Sequence, residues 1–88
     1  AKIDEYLRQV PGWEYRDGAI CKIYSFKNFF ETMAFVNMVA WVAHREDHHP
    51  GMLVGYNTCK IDWNTHSVGG ISMNDFICAA KIESLCRI

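Results

Sequence analysis

An α+β fold is predicted for this chain: a four-stranded antiparallel sheet made from two hairpins, with helices packed on one face. Three observations predict it. The Asp17-Gly18 pair and the Asn57-Thr58 turn each separate two runs rich in aromatic, β-branched or alternating residues. Segments with helical spacing or helix caps stand before, between and after those runs. The resulting order is helix, hairpin, helix, hairpin, helix, which lets the strands close into one sheet while the helices share a layer.

Each element has a local cause. Ile3, Tyr6, Leu7 and Val10 fall on one helical face, and Pro11-Gly12 stops that helix. Trp13 to Tyr15 and Ala19 to Phe26 are the first two strands, joined by Asp17-Gly18, where a tight turn needs φ > 0 at both positions. Asn28 with Glu31 has the form of a capping box, and twelve of the fifteen positions from Phe29 to Ala43 are apolar. A helix so apolar on all sides predicts a second covered face, and hence a homo-oligomer, dimer or tetramer. Pro50 disfavours helical backbone at His49, so the helix should end near Asp47. Met52 to Tyr56 reads as the third strand. Cys59, Ile61, Trp63 and Thr65 then alternate with Lys60, Asp62, Asn64 and His66, a fourth strand with one face inward and the other facing solvent or a cleft. After Gly69-Gly70, Ser72 with Asp75 caps a last helix from Phe76 to Arg87. The 88 residues are read as one domain, 1–88, without repeats or linkers.

Composition narrows the function classes. Nine Lys+Arg against ten Asp+Glu leave a net charge of -1, with no basic footprint for nucleic acid or an anionic membrane. No apolar run reaches membrane-spanning length, and the first residues lack a signal-peptide pattern, so a cytoplasmic location is expected. Cys21, Cys59, Cys78 and Cys86 are widely spaced and expected to be reduced thiols.

All four histidines, His44, His48, His49 and His66, fall within a 23-residue window. Imidazoles gathered at one cleft suit proton transfer near neutral pH. A lone histidine is as often a surface or satisfied polar residue, but His48-His49-Pro50 leaves a helix end, where the changing backbone direction splays two imidazoles toward one ligand. Metal binding is the sharpest competitor, since His44 and His48 are i, i+4 and His66 or Cys59 could join them. There is no His-Glu-x-x-His pattern or Cys pair to support it, and no metal is expected. No cysteine adjoins a histidine or a predicted helix N-terminus, which argues against a cysteine nucleophile.

Gly12-Trp13, Ala34-Phe35-Val36, Asp47-His48-His49-Pro50, Tyr56-Asn57, Thr65-His66, Gly70 and Asp75 together resemble the pterin-4a-carbinolamine dehydratase family over nearly the whole chain. The resemblance implies a hydro-lyase that dehydrates 4a-hydroxytetrahydropterin to quinonoid dihydropterin in tetrahydrobiopterin recycling, with no cofactor. It implies His48, His49 and His66 as the catalytic set: His48 and His66 in acid/base roles, and His49 chiefly binding and orienting the pterin. Asp47, Thr65 and Asp75 would be substrate-site residues that position histidines or ring nitrogens. The implied partners are the pterin, further copies of the chain and a functional link to an aromatic amino acid hydroxylase. An alternative is a non-catalytic dimerisation or interaction role for the apolar helix 28–46. Two positions depart from the family pattern: His44 stands where Glu is frequent, and Met52 where Trp is frequent. The motifs do not distinguish pterins by their side chains.

Overall fold

A computed structural model describes residues 2–86. Its elements run α1 (Lys2–Arg8), β1 (Glu14–Arg16), β2 (Ala19–Ser25), α2 (Phe29–Glu46), β3 (Gly51–Val54), β4 (Thr58–Trp63), a 3-10 turn (His66–Val68) and α3 (Met73–Cys86). The four strands form one antiparallel sheet in the order β1-β2-β4-β3, so both predicted hairpins are present and β2 pairs with β4 at its centre. Along β4, Cys59, Ile61 and Trp63 are buried against the helices while Lys60 and Asp62 face outward. Burying a side chain of the size of Ile61 stabilises the fold by roughly 1.5–3 kcal/mol. Val39 and Val42 of α2 and Phe76, Ala79 and Ile82 of α3 complete that core. The short α1 reaches α3 through Tyr6, whose ring lies 5.2 Å from that of Phe76.

The element ends differ from the sequence expectation in instructive ways. The first helix stops at Arg8, because Gln9 and Val10 donate to Tyr6 and Leu7 in tighter i to i−3 bonds; Val10 is still buried. The β3–β4 turn is Gly55–Asn57 rather than Asn57-Thr58, closed by Gly55 N–H donating to the Thr58 carbonyl at 2.8 Å. At Asp17-Gly18 the φ values are 50° and 79°, as the predicted turn requires. Asn28 accepts from Glu31 N–H at 2.9 Å, but the Glu31 carboxylate reaches back to Lys27 N–H rather than to Asn28. Helix α3 begins at Met73, earlier than expected, and Arg87 lies outside the described residues.

On the inner face of β2, far in sequence from its partners, Lys22 donates to the Glu83 carboxylate at 2.7 Å and Trp13 Nε1 does so at 3.3 Å; the Tyr24 hydroxyl also donates to it. Burial pushes the Glu83 carboxyl up, but the hydrogen bonds from Lys22 and Tyr24, the Lys22 charge and Trp13 outweigh it and leave the group below its ordinary range. A carboxyl lowered in the folded state stabilises the protein above its unfolded value of 4.5, and that contribution is lost as pH falls through the folded value. Glu83→Gln is therefore expected to cost about 1–3 kcal/mol at neutral pH and to flatten the acid limb of stability. Urea denaturation at neutral pH and near pH 3 measures both, and parallel acid limbs for parent and variant would refute the assignment.

Candidate active site

The site is built where α2 hands the chain to β3. Helix α2 ends in a Schellman motif: Asp47 takes the left-handed conformation, φ 50° and ψ 45°, its N–H donates to the His44 carbonyl at 3.2 Å, and the N–H of His48 donates to that of Ala43 at 3.0 Å. This reversal, rather than Pro50 alone, ends the helix. It turns His48 inward, where its side chain is mostly buried, and leaves His49 exposed.

His48 is held from two sides. Its ring stacks on the indole of Trp63, 5.4 Å between centroids and 20° between planes. Its Nε2 lies 2.5 Å from Asp75 Oδ1. Asp75 is 0 % exposed, and its other oxygen accepts from Thr65 Oγ1 at 2.9 Å and from the Ser72 N–H at 2.8 Å. Because Thr65 gives its proton to Asp75, the Ser72 hydroxyl, 2.7 Å away, is the donor to Thr65. The buried carboxylate is thus satisfied by three donors, as a buried charge must be. With Nε2–H engaged by a carboxylate, Nδ1 is the His48 nitrogen left for a bound ligand.

A cavity of about 550 Å³ lies beside this arrangement. His48, His49 and His66 all wall it, as do Asp47 and Thr65, so five of the six sequence-predicted site residues meet at one cavity. The sixth, Asp75, has no exposed surface and stands behind His48 and Thr65, hydrogen-bonded to both side chains. Asp62, Asn64 and Ser67 also line the cavity. Asp62 and Asn64 share the alternating register that led to His66, so the period of two had already placed them on that face. Strand β4 nevertheless ends at Trp63, and His66 opens the 3-10 turn. Thr65 pairs with Gly70 across that loop, the Thr65 N–H donating at 2.7 Å, which fixes His66 at the cavity rim. Ser72 was legible as a helix cap, and the Asp75 carboxylate does reach back to its N–H; the Ser72 hydroxyl is diverted to Thr65.

His44 is exposed on the far side of the 47–50 segment and does not wall this cavity. Among the described residues no three His, Cys, Asp or Glu side chains gather as a metal-binding group. All four cysteines are free. Burial, with Glu46 and Asp75 nearby, pushes the Cys78 thiol up to about 12, and burial raises Cys59, so neither is a ready nucleophile. No described helix is long and apolar enough to cross a membrane.

Known proteins resemble this chain in sequence and in fold. A relative from Nitrosospira multiformis, 56 % identical over 99 % of this chain and 77 % of its own length, carries the provisional name pterin-4-alpha-carbinolamine dehydratase. One from Nitrosomonas eutropha with the same provisional name is 60 % identical over 93 % of this chain and 74 % of its own. A crystal structure from Brucella melitensis, described as a transcriptional coactivator/pterin dehydratase, superposes with a TM-score of 0.89 at 32 % identity, covering 94 % of this chain and 90 % of that one. A pterin dehydratase-like RuBisCO assembly factor shares the fold, with a TM-score of 0.73 at 18 % identity over 88 % and 92 % of the two chains. The family model described as pterin 4 alpha carbinolamine dehydratase matches residues 1–85, and the chain belongs to that family.

Proposed function

We propose that this protein dehydrates 4a-hydroxytetrahydropterins to quinonoid dihydropterins, with imidazoles as the acid and base. The observation that carries this reading is the His48–Asp75 pair at a cavity that His49 and His66 also wall. The reaction needs one proton delivered to the 4a hydroxyl and one removed from N5. As the C4a–O bond breaks, water leaves, the N5–H electrons become the C4a=N5 double bond, and the N5 proton passes to a base. His48, through Nδ1, and His66 supply the two proton positions. Exposed His49 and the Asp47 carboxylate bind and orient the ring. The proton given equals the proton taken, so exchange between the imidazoles and water restores the starting state. On this reading the enzyme acts in tetrahydropterin recycling, downstream of a hydroxylase that forms the 4a-hydroxy adduct, and its expected location is the cytoplasm.

The test is the decay of a 4a-hydroxytetrahydropterin, generated in situ and followed in stopped flow near neutral pH. Saturable acceleration by the protein supports the reading, and decay at the uncatalysed rate with folded protein overturns it.

A second reading, assembly through α2, is supported by a specific surface. Phe30 is 81 % and Trp41 55 % exposed, and exposed Ala34 shares their stripe. Apolar surface of this kind on a small chain favours burial against another copy. Phe30→Asp combined with Trp41→Asp is expected to reduce the mass in sedimentation from a dimer or tetramer to the 10.2 kDa protomer. A parent that already sediments as a monomer would refute it.

A further inference from the structure

A second cavity, of about 420 Å³, flanks the first. The two share the segment Asp47, His48, His49 and Pro50 as a common wall. From there they diverge. The first extends over the outward face of β4 toward His66, while the second is completed by Ala40, Ala43 and His44 of α2 and by Met52 of β3. Its character is therefore distinct: three small or apolar side chains, Pro50, and one additional imidazole with no hydrogen-bond partner among the described residues.

The chemistry of the substrate gives this cavity a role. In a tetrahydropterin the carbon C6 is bonded to N5, and N5 to C4a, so a C6 substituent leaves the ring from the edge that reacts. A ring bound with its C4a–N5 edge at His48 and its C6 end toward Pro50 would carry its C6 substituent along the His48–Pro50 wall. That wall is the one the two cavities share. We propose that the second cavity is a subsite for a hydroxylated alkyl substituent at C6: Met52, Ala40 and Pro50 contact the carbons and the His44 imidazole hydrogen-bonds a hydroxyl. The subsite rests on the dehydratase reading for the placement of the ring. It makes His44 and Met52 determinants of which pterin is preferred, separate from the histidines that move protons.

The experiment compares two substrates that differ only at C6, the 4a-hydroxy derivatives of 6-methyl- and 6-(dihydroxypropyl)-tetrahydropterin. The parent is expected to favour the hydroxylated one by about tenfold in kcat/KM, a preference worth one hydrogen bond and a few apolar contacts. Met52→Trp and Ala40→Leu, which fill the cavity from β3 and from α2, should bring that ratio close to one, and His44→Ala should lower it part of the way. Ala40 is exposed on α2, so Ala40→Leu keeps the test valid if Met52→Trp misfolds. The same ratio is read independently as the Kd values of the stable 7,8-dihydropterins with these two substituents, from pterin fluorescence. A ratio that is near one in the parent, or unchanged in Ala40→Leu, overturns the subsite. If the parent accelerates neither substrate, the dehydratase reading fails, and the ratio of Kd values still decides the subsite.

Discussion

His48→Ala is expected to leave a folded protein whose kcat for dehydration falls by about 10²–10⁴-fold, the range for loss of a positioned general acid or base. The side chain is mostly buried between Trp63 and Asp75, so its removal has a structural side as well. Asp75 retains two donors, Thr65 Oγ1 and Ser72 N–H, and its carboxylate is not orphaned. The fold should therefore tolerate the change, with a stability loss of about 1–3 kcal/mol by urea denaturation. Steady-state kinetics separate this from a binding defect: kcat drops far more than KM rises, because the lost interaction acts in the transition state. A variant with the parent kcat would place the proton transfer elsewhere, on His66 or His49 alone.

Much of this site was legible because it is local. His48, His49 and Pro50 are consecutive, Thr65 and His66 are adjacent, and the alternation through β4 put Asp62, Asn64 and His66 on one side of the sheet. Asp17-Gly18 and Asn28 specified their turn and cap through backbone chemistry that needs no distant partner. What resisted reading is non-local or a matter of where a pattern ends. The alternation of polar and apolar residues continues past Trp63, yet backbone pairing of Thr65 with Gly70 diverts the chain into a turn, so His66 is a loop residue. The Glu83 hub joins residues 59 to 70 positions apart, and no periodicity announces it. Asp75 illustrates both limits. Its spacing from Ser72 marks a helix cap, but the second use of its carboxylate, on an imidazole 27 residues earlier, follows only from α3 packing beside the end of α2.

That double use gives the second large effect. In Asp75→Asn the side chain keeps its shape but has one acceptor oxygen in place of two. Thr65 Oγ1 and Ser72 N–H both need an acceptor at the Oδ2 position, so the amide oxygen should remain there and the amide nitrogen should face His48. A donor opposite Nε2 forces that nitrogen to accept, which moves the imidazole proton to Nδ1 and inverts the tautomer offered to the substrate. The expected outcome is a folded protein with kcat lowered by about 10²–10⁴-fold, as for other histidines held in the wrong tautomer. The ¹⁵N shifts of His48 report directly which nitrogen carries the proton, a readout that a merely structural role would not move. Asp75→Ala is expected to behave differently. It leaves Thr65, Ser72 and His48 facing a space with no acceptor, at about 1–3 kcal/mol for each buried donor, and so loses stability along with activity. Asp75→Asn with the parent kcat and the parent tautomer would reduce Asp75 to a cap of α3; the inverted tautomer with slow turnover would establish it as the residue that sets which nitrogen of His48 does the chemistry.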